Sequence, residues 1–174
     1  MQEIQVKYRG KMIGCRKYDK DDVPVMLDRF FFWKVSALLA ETTATKRPQL
    51  PESFSEPFVS YLFSLAHNPG TGPDAFELTP EGEVASVVEI KATITDAGFT
   101  DIRRDLEFDV LYWLSLGDYS KLRYRIHRLE RASLRMVSEQ SRTPRERATV
   151  GLDKVIRQIG TQPAKKGHIG IVEE

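Results

Sequence analysis

The chain of 174 residues carries 26 Lys and Arg against 25 Asp and Glu, with 41% hydrophobic residues and a single cysteine. That length predicts one domain, and one cysteine excludes a disulfide scaffold and a thiolate zinc site. No stretch approaches the roughly 18 consecutive apolar residues of a membrane span, and the N-terminus has no apolar signal core. We therefore expect a cytoplasmic protein of a reducing, bacterial-type cytosol, neither exported nor anchored.

Charge is distributed unevenly along the chain. Residues 121–166 hold 13 Lys or Arg and 4 Asp or Glu, whereas residues 1–120 hold 13 and 19. A basic segment beside an acidic one is typical of a protein that binds a phosphate backbone and carries a metal site. A solvated basic surface explains the same charge distribution equally well.

The first part of the chain predicts a hairpin and two helices. Residues 4–8 alternate apolar and polar side chains, and a turn at 9–11 leads into a second strand at 12–18. Residues 25–39 predict a helix too apolar for a surface position, so we expect it to be largely buried. Its aromatic run at 30–33 favours the core or a dimer interface. Residues 53–56 (SFSE) match a capping box that starts the second helix.

The middle of the chain predicts strands, and the last part predicts a helix. Two extended runs, 74–78 and 84–95, surround a turn, and two more follow at 110–116 and 121–129. Residues 143–146 (TPRE) match a second capping box, which predicts a helix with a buried stripe from Ala148 to Ile159 and an end at Gly160.

This order of elements predicts an α/β or α+β domain with a mixed central β-sheet flanked by helices. The single domain spans residues 1–174. Within it we expect the hairpin and helices in 1–70, the sheet in 71–130, and a helix and tail in 131–174.

The most informative motif is Pro73-Asp74, followed after a strand and a turn by Glu89-Ile90-Lys91 in an apolar strand. Residues two apart share one face of a strand, so Glu89 and Lys91 project together. A hairpin brings Asp74 beside Glu89, and two converging carboxylates need a cation between them. Mg²⁺ suits such oxygen ligands, and Lys91 can stabilise charge on a phosphate. The alternative is that Glu89 and Lys91 form the solvated side of a half-exposed strand.

These residues resemble the PD-(D/E)xK nuclease motif, and residues 4–129 are similar to small type II restriction endonucleases that cut GC-N-GC sequences. The matching features are the N-terminal hairpin, Leu50-Pro51-Glu52 with Ser55-Glu56, Lys91-Ala92-Thr93, and Leu111-Tyr112-Trp113 before Gly117-Asp118.

The resemblance implies a restriction-endonuclease-like core and Mg²⁺-dependent cleavage of double-stranded DNA, with Mn²⁺ as a substitute. It implies 5′-phosphate ends, a short G·C-rich palindromic or pseudopalindromic site, and a homodimer. Asp74 and Glu89 are then metal ligands, and Lys91 is the catalytic lysine. Glu56 corresponds to an extra helix carboxylate near the metal in some relatives, although the capping box accounts for it as well. A cognate DNA methyltransferase is the expected genetic partner, because the cell must protect its own chromosome.

Several basic residues are candidates for DNA contacts. Arg103 and Arg104, in the polar connection 96–105, are candidates to read G·C pairs, because arginine hydrogen-bonds guanine bidentately. An exposed basic sheet face is the alternative for each candidate phosphate contact. These candidates are Lys121, Arg123, Arg125, His127, Arg128, Arg131 and Arg135.

The isolated histidines and the cysteine predict no further site. His67 and His168 have no paired metal-ligand spacing, so we expect them on the surface or in loops. Cys15 lies in a predicted strand and is expected to pack in the core.

Two other functions fit the same residues. The motif also serves DNA repair and junction-resolving nucleases, which would cut a branched junction but not a linear duplex. A non-catalytic DNA-binding protein would bind DNA in a salt-sensitive manner and cleave none.

Overall fold

A computed structural model describes residues 1–95, 99–103, 108–117, 119–139 and 147–170, and only the backbone of 99–103, 137–139 and 147–150. Ten strands lie in these ranges: β1 (Gln2–Tyr8), β2 (Lys11–Lys17), β3 (Ala66–His67), β4 (Ala75–Leu78), β5 (Val84–Thr93), β6 (Phe99–Arg103), β7 (Val110–Ser115), β8 (Arg123–Glu130), β9 (Arg147–Gly151) and β10 (Lys165–His168). The helices there are α1 (Val23–Thr42), α2 (Glu52–Phe63), α3 (Arg131–Glu139) and α4 (Leu152–Ile159).

Eight of these strands form one mixed sheet in the order β1-β2-β3-β4-β5-β7-β8-β10. Strands β5 and β7 pair in parallel, and the other neighbours pair antiparallel. Strands β6 and β9 form a separate antiparallel pair. The predicted α/β architecture with a mixed central sheet is therefore confirmed.

Helices cover both faces of the sheet. Helices α1 and α2 pack on one face through residues such as Phe30 and Phe54, which belong to the same buried cluster as Val88 and Ile90 of β5. Helices α3 and α4 pack on the other face through Leu134 and Leu152. Because the central strands are covered on both sides, β7 is buried along its whole length and its sequence is almost entirely apolar.

Helix α1 is less buried than its sequence predicts. The prediction that it would be largely buried is wrong, because only one of its sides meets the sheet and α2. Phe32 is 78% exposed, Val35 66% and Leu39 62%, whereas Phe30 and Trp33 are buried. Among the described helices, none combines the length and the apolar character that crossing a membrane requires.

The predicted start of the last helix is also wrong. Helix α4 begins at Leu152, and Arg147–Gly151 is a strand because it pairs with Phe99–Arg103. Ala148 therefore belongs to β9 rather than to a helical stripe, and residues 143–146 lie outside the described ranges. The helix does end at Gly160, whose left-handed φ of 66° suits glycine.

Candidate active site

The β4–β5 pairing brings Asp74 to the middle of β5. Ala75 lies opposite Val88, so Asp74, one residue earlier, comes beside Glu89. One carboxylate oxygen of Asp74 accepts a hydrogen bond of 2.7 Å from the backbone N–H of Ile90. The side chain of Asp74 therefore points toward the Glu89–Lys91 segment.

Glu89 and Lys91 project together from β5. The Nζ atom of Lys91 lies 2.6 Å from Oε1 of Glu89. The intervening Ile90, like Val88, lies in the core beneath α1 and α2. The Glu89 side chain is 11% exposed and that of Lys91 is 41% exposed, so the carboxylate is shielded while the ammonium reaches solvent.

Among the residues that the structure describes, the negative charge of this cluster is not balanced. Burial raises the pKa of Asp74 to about 7, and the carboxylates of Glu89 and Glu56 add to that effect. Burial alone would lower the pKa of Lys91, but the hydrogen bond and charge of Glu89 outweigh it and hold the pKa above its ordinary value. In the described part of the chain, the Lys91 ammonium thus faces several carboxylates, which is an environment that favours a proton or a cation.

Glu56 reaches this cluster from α2, and it does not cap the helix. The capping-box prediction is wrong, because α2 begins at Glu52 after Pro51 and has no side-chain cap. Instead, Oε2 of Glu56 lies 3.1 Å from Nε2 of His67, the second residue of β3.

His67 is buried rather than placed on the surface or in a loop, so that prediction is also wrong. It is 5% exposed, and its Nδ1 lies 2.8 Å from the hydroxyl of Tyr18. Burial raises the pKa of Tyr18, and the Tyr18 hydroxyl can donate a hydrogen bond to Nδ1 when that nitrogen carries no proton. In that arrangement Nε2 of His67 carries the ring proton and donates to Glu56.

The donor set fits a hard divalent cation with few protein ligands. Within the part of the chain that the structure describes, no three His, Cys, Asp or Glu side chains converge to chelate a metal. Asp74 and Glu89 provide two carboxylates, and Mg²⁺ commonly binds through one or two carboxylates with water and phosphate oxygens completing its octahedron. Cys15 offers no ligand, since it is buried in the core, which raises its pKa to about 11.

Arg128 makes internal ion pairs. Its guanidinium donates hydrogen bonds of 2.9 and 3.0 Å to the two carboxylate oxygens of Glu77, and it also donates to Glu130. The hydroxyl of Tyr112 donates to the same Glu77 at 2.8 Å. These contacts explain the position of the Arg128 side chain, so no contact with a DNA phosphate is needed to account for it.

The other candidate DNA contacts are scattered over several elements. Arg103 ends β6, where only the backbone is described, and Arg104 lies outside the described residues. His127 is buried and stacks on Trp113. Arg123 and Arg125 at the start of β8, and Lys121 two residues before the strand, are exposed. They line a cavity of about 620 Å³ together with Lys166 and His168 of β10.

Sequence reasoning missed His67 and β10. The tripeptide Leu65-Ala66-His67 before Asn68-Pro69-Gly70 is a short apolar run that ends at a turn, which is the available signal for β3. In β10 the signal is alternation, because Lys166 and His168 are separated by Gly167 and followed by Ile169.

Comparison with protein-family models, with curated proteins and with solved structures finds no match to this chain. The functional proposal therefore depends on the residues and geometry described above.

Proposed function

We propose that this chain is a type II restriction endonuclease with a restriction-endonuclease-like core. It cleaves double-stranded DNA at a short G·C-rich site in the presence of Mg²⁺ and leaves 5′-phosphate ends. The observation that carries the proposal is the placement of Asp74 beside the Glu89–Lys91 pair. An excess of shielded carboxylates next to one lysine is an arrangement that phosphodiester hydrolysis can use.

Asp74 and Glu89 would hold the cation. When bound, Mg²⁺ supplies Lewis-acid polarisation of the phosphate and acidifies a water molecule. With a pKa of about 7, Asp74 is ready to lose its proton near neutral pH and to serve as a ligand. Glu56, oriented by His67, adds to the negative potential at the same place.

Lys91 would stabilise the charge that develops on the scissile phosphate. Its ammonium is held by Glu89 at 2.6 Å and is still 41% exposed, so a phosphate oxygen can approach it from solvent. A positioned ammonium in a partly dry site stabilises developing negative charge more than bulk water does.

The exposed side of α1 supports the proposed homodimer. Val25, Phe32 and Leu39 recur at seven-residue spacing and lie on one line of the helix. With Phe31, Val35 and Leu38, they leave exposed apolar area on the order of 600 Å², which approaches the roughly 800 Å² that each partner buries in a standard interface. We propose that a second copy covers this side, which would place two active sites on one DNA molecule.

A bacterial-type cytoplasm and a cognate DNA methyltransferase complete the proposal. Both follow from the proposed activity, because an enzyme that cuts chromosomal DNA requires a host modification at the same sequence. Identification of a cytosine or adenine methyltransferase gene adjacent to the gene for this chain would support this part.

Digestion of a mapped plasmid tests the proposed activity. With Mg²⁺ or Mn²⁺ the wild type should give discrete fragments whose sequenced ends share one short motif, and Asp74→Ala should give none. Glu83→Gln removes an exposed carboxylate from the β4–β5 turn and should cut like the wild type. Full cleavage by Asp74→Ala would reject the assignment.

Other substrates separate the alternative functions. Cleavage of a branched junction without cleavage of linear duplex would identify a junction-resolving or repair nuclease. Salt-sensitive binding without cleavage of any DNA would identify a non-catalytic binding protein. If Arg103→Ala leaves site discrimination intact, the proposed reading of G·C pairs by Arg103 fails, and the same holds for Arg104→Ala.

Sedimentation equilibrium tests the dimer. The wild type should sediment as a dimer, and Phe32→Ser, which changes a side chain that is 78% exposed, should shift it toward the monomer without loss of helical circular dichroism. A monomeric wild type would contradict the proposed interface.

A further inference from the structure

Strand β10 places a second row of basic side chains beside β8. In their antiparallel pairing, Lys166 lies opposite Arg125, and His168 lies opposite Arg123. Residues directly opposite each other in such a pair project from the same face. These four side chains form a two-strand array, which we call the basic ladder.

Gly167 allows the two strands of the basic ladder to approach. A Cβ atom at position 167 would lie 2.8 Å from the hydroxyl oxygen of Tyr124, closer than real Cβ atoms come. Tyr124 is a buried member of the core, so its ring has little room to move. The position of β10 is therefore set by packing against the core.

Within the basic ladder, Lys166 and Arg125 carry like charges on directly opposite positions. Like charges directly opposite each other destabilise a strand pair, and arginine and lysine are both charged at neutral pH. Among the described residues, no carboxylate forms an ion pair with Arg123 or Lys166. A lysine on an edge strand also discourages aggregation, but that role does not explain the cations on β8, which has a neighbour on each side.

The strand register places the basic ladder on the same sheet face as Glu89 and Lys91. In β5, Thr93 lies two residues after Lys91 and therefore on the same face. Thr93 pairs with Ser115 of β7, and Ser115 pairs with Arg125 of β8. With strand spacings of about 4.8 Å and a rise of about 3.3 Å per residue, Arg125 lies about 12 Å from Lys91 and Lys166 about 16 Å away.

Two neighbouring cavities connect these positions. The basic ladder borders the cavity of about 620 Å³. A second cavity, of about 650 Å³, lies between the sheet and α4 and is lined by Trp113, His127 and Arg157. Arg125 lines both cavities, so they are neighbours, and Trp113, which lines the second, pairs with Lys91.

We propose that the basic ladder binds the phosphate backbone of duplex DNA to one side of the scissile bond. Measured along the duplex axis, about 12–16 Å spans roughly four or five phosphates of one strand, at about 3.4 Å of axial rise per phosphate. The location relative to the cut rests on the proposed nuclease function, whereas the contact itself requires only double-stranded DNA.

Salt titration of DNA binding tests this proposal. Binding of a labelled duplex is followed by fluorescence anisotropy in EDTA, so that no cleavage intervenes. Each lost phosphate contact makes the negative slope of log K against log salt less steep by about 0.9. We expect that change for Lys166→Gln and for Arg123→Gln. Lys7→Gln is the matched control, since Lys7 is exposed on β1 at the opposite edge of the sheet, and its slope should equal that of the wild type.

The outcomes separate this proposal from the nuclease proposal. An unchanged slope and affinity in Lys166→Gln would overturn the basic ladder as a DNA contact even if the wild type cuts DNA. A reduced slope in a protein that never cuts would support the contact and reject the nuclease. Binding to anionic phospholipid vesicles without binding to the duplex would overturn the proposal.

Discussion

Two charged clusters involve the same short stretch of chain, and their charge balance differs. Glu77, in β4, accepts two hydrogen bonds from Arg128 and one from Tyr112. Asp74, directly before β4, faces Glu89 and Glu56, and Lys91 is the cation that partly balances them.

The difference in charge balance distinguishes the structural ion pair at Glu77 from the candidate active site at Asp74. The hydrogen bond from Arg128 lowers the pKa of Glu77, whereas burial and neighbouring carboxylates raise the pKa of Asp74. A paired cluster of the first kind stabilises the fold that contains it, because each group has its partner. An unpaired excess of charge costs stability and is expected where a ligand supplies the missing charge.

Loss of Lys91 should have the largest effect on activity. Lys91→Ala should lower the single-turnover rate of DNA cleavage by about 10³-fold, comparable to removal of one positioned donor from a reacting anion. Arg128→Ala, which removes the cation of the balanced cluster, should change that rate by less than about tenfold. Similar losses in both variants would show that the two clusters do not differ in function.

Loss of Arg128 should have the largest effect on stability. Arg128→Ala should lower the free energy of unfolding by about 2–3 kcal/mol, because it leaves Glu77 partly buried without its partner. Urea unfolding measures this change. A second substitution, Glu77→Gln, should restore part of the loss by removing the unpaired charge. Unchanged stability in Arg128→Ala would contradict the structural role.

Removal of the Asp74 charge should stabilise the protein. The pKa of Asp74 is about 7 in the folded state against 3.8 ordinarily, so folding is penalised where the carboxylate is ionised. Asp74→Asn should therefore raise the free energy of unfolding at pH 8, by on the order of 2 kcal/mol without divalent ions. This gain should shrink as the pH falls below about 7 and vanish near pH 4, whereas Glu83→Gln should show no such trend. Destabilisation by Asp74→Asn at pH 8 would contradict the unbalanced charge.

Loss of the contacts that His67 makes with Tyr18 and Glu56 should have a smaller effect on stability. His67→Leu leaves two partly buried groups without a partner and should cost about 1–2 kcal/mol in urea unfolding. His67→Gln keeps a donor in place of Nε2 and should cost less than His67→Leu. Equal losses in the two variants would indicate that the ring fills space and orients nothing.

Much of the sheet follows from local patterns, and the short elements do not. The hairpin β1–β2 and strands β5, β7 and β8 appear in the sequence as alternating or apolar runs, which depend on neighbouring residues alone. Strand β3 has two residues and β10 has four, so they carry little periodicity. The capping box predicted at residues 53–56 failed because Glu56 meets His67 instead. The last helix begins later than predicted because residues 147–151 pair with β6.

The candidate site also contains contacts that the sequence predicts and contacts that it does not. The proximity of Asp74 to Glu89 and Lys91 is predictable, because a short hairpin and a period of two residues determine it. The contact of Tyr18 with His67 joins residues 49 positions apart, and no spacing rule indicates it. The exposed side of α1 was also unpredictable, since composition alone does not show which side of a helix the sheet covers.

The central claim is that Asp74 and Glu89 are held together for a divalent cation, and thermal unfolding with Mn²⁺ at pH 8 tests it most directly. At matched ionic strength, Mn²⁺ should raise the Tm of the wild type by about 2–6 °C, since a ligand that binds the folded state stabilises it. Asp74→Asn should show no rise. Equal shifts in the two proteins, or no shift in the wild type, would contradict the claim.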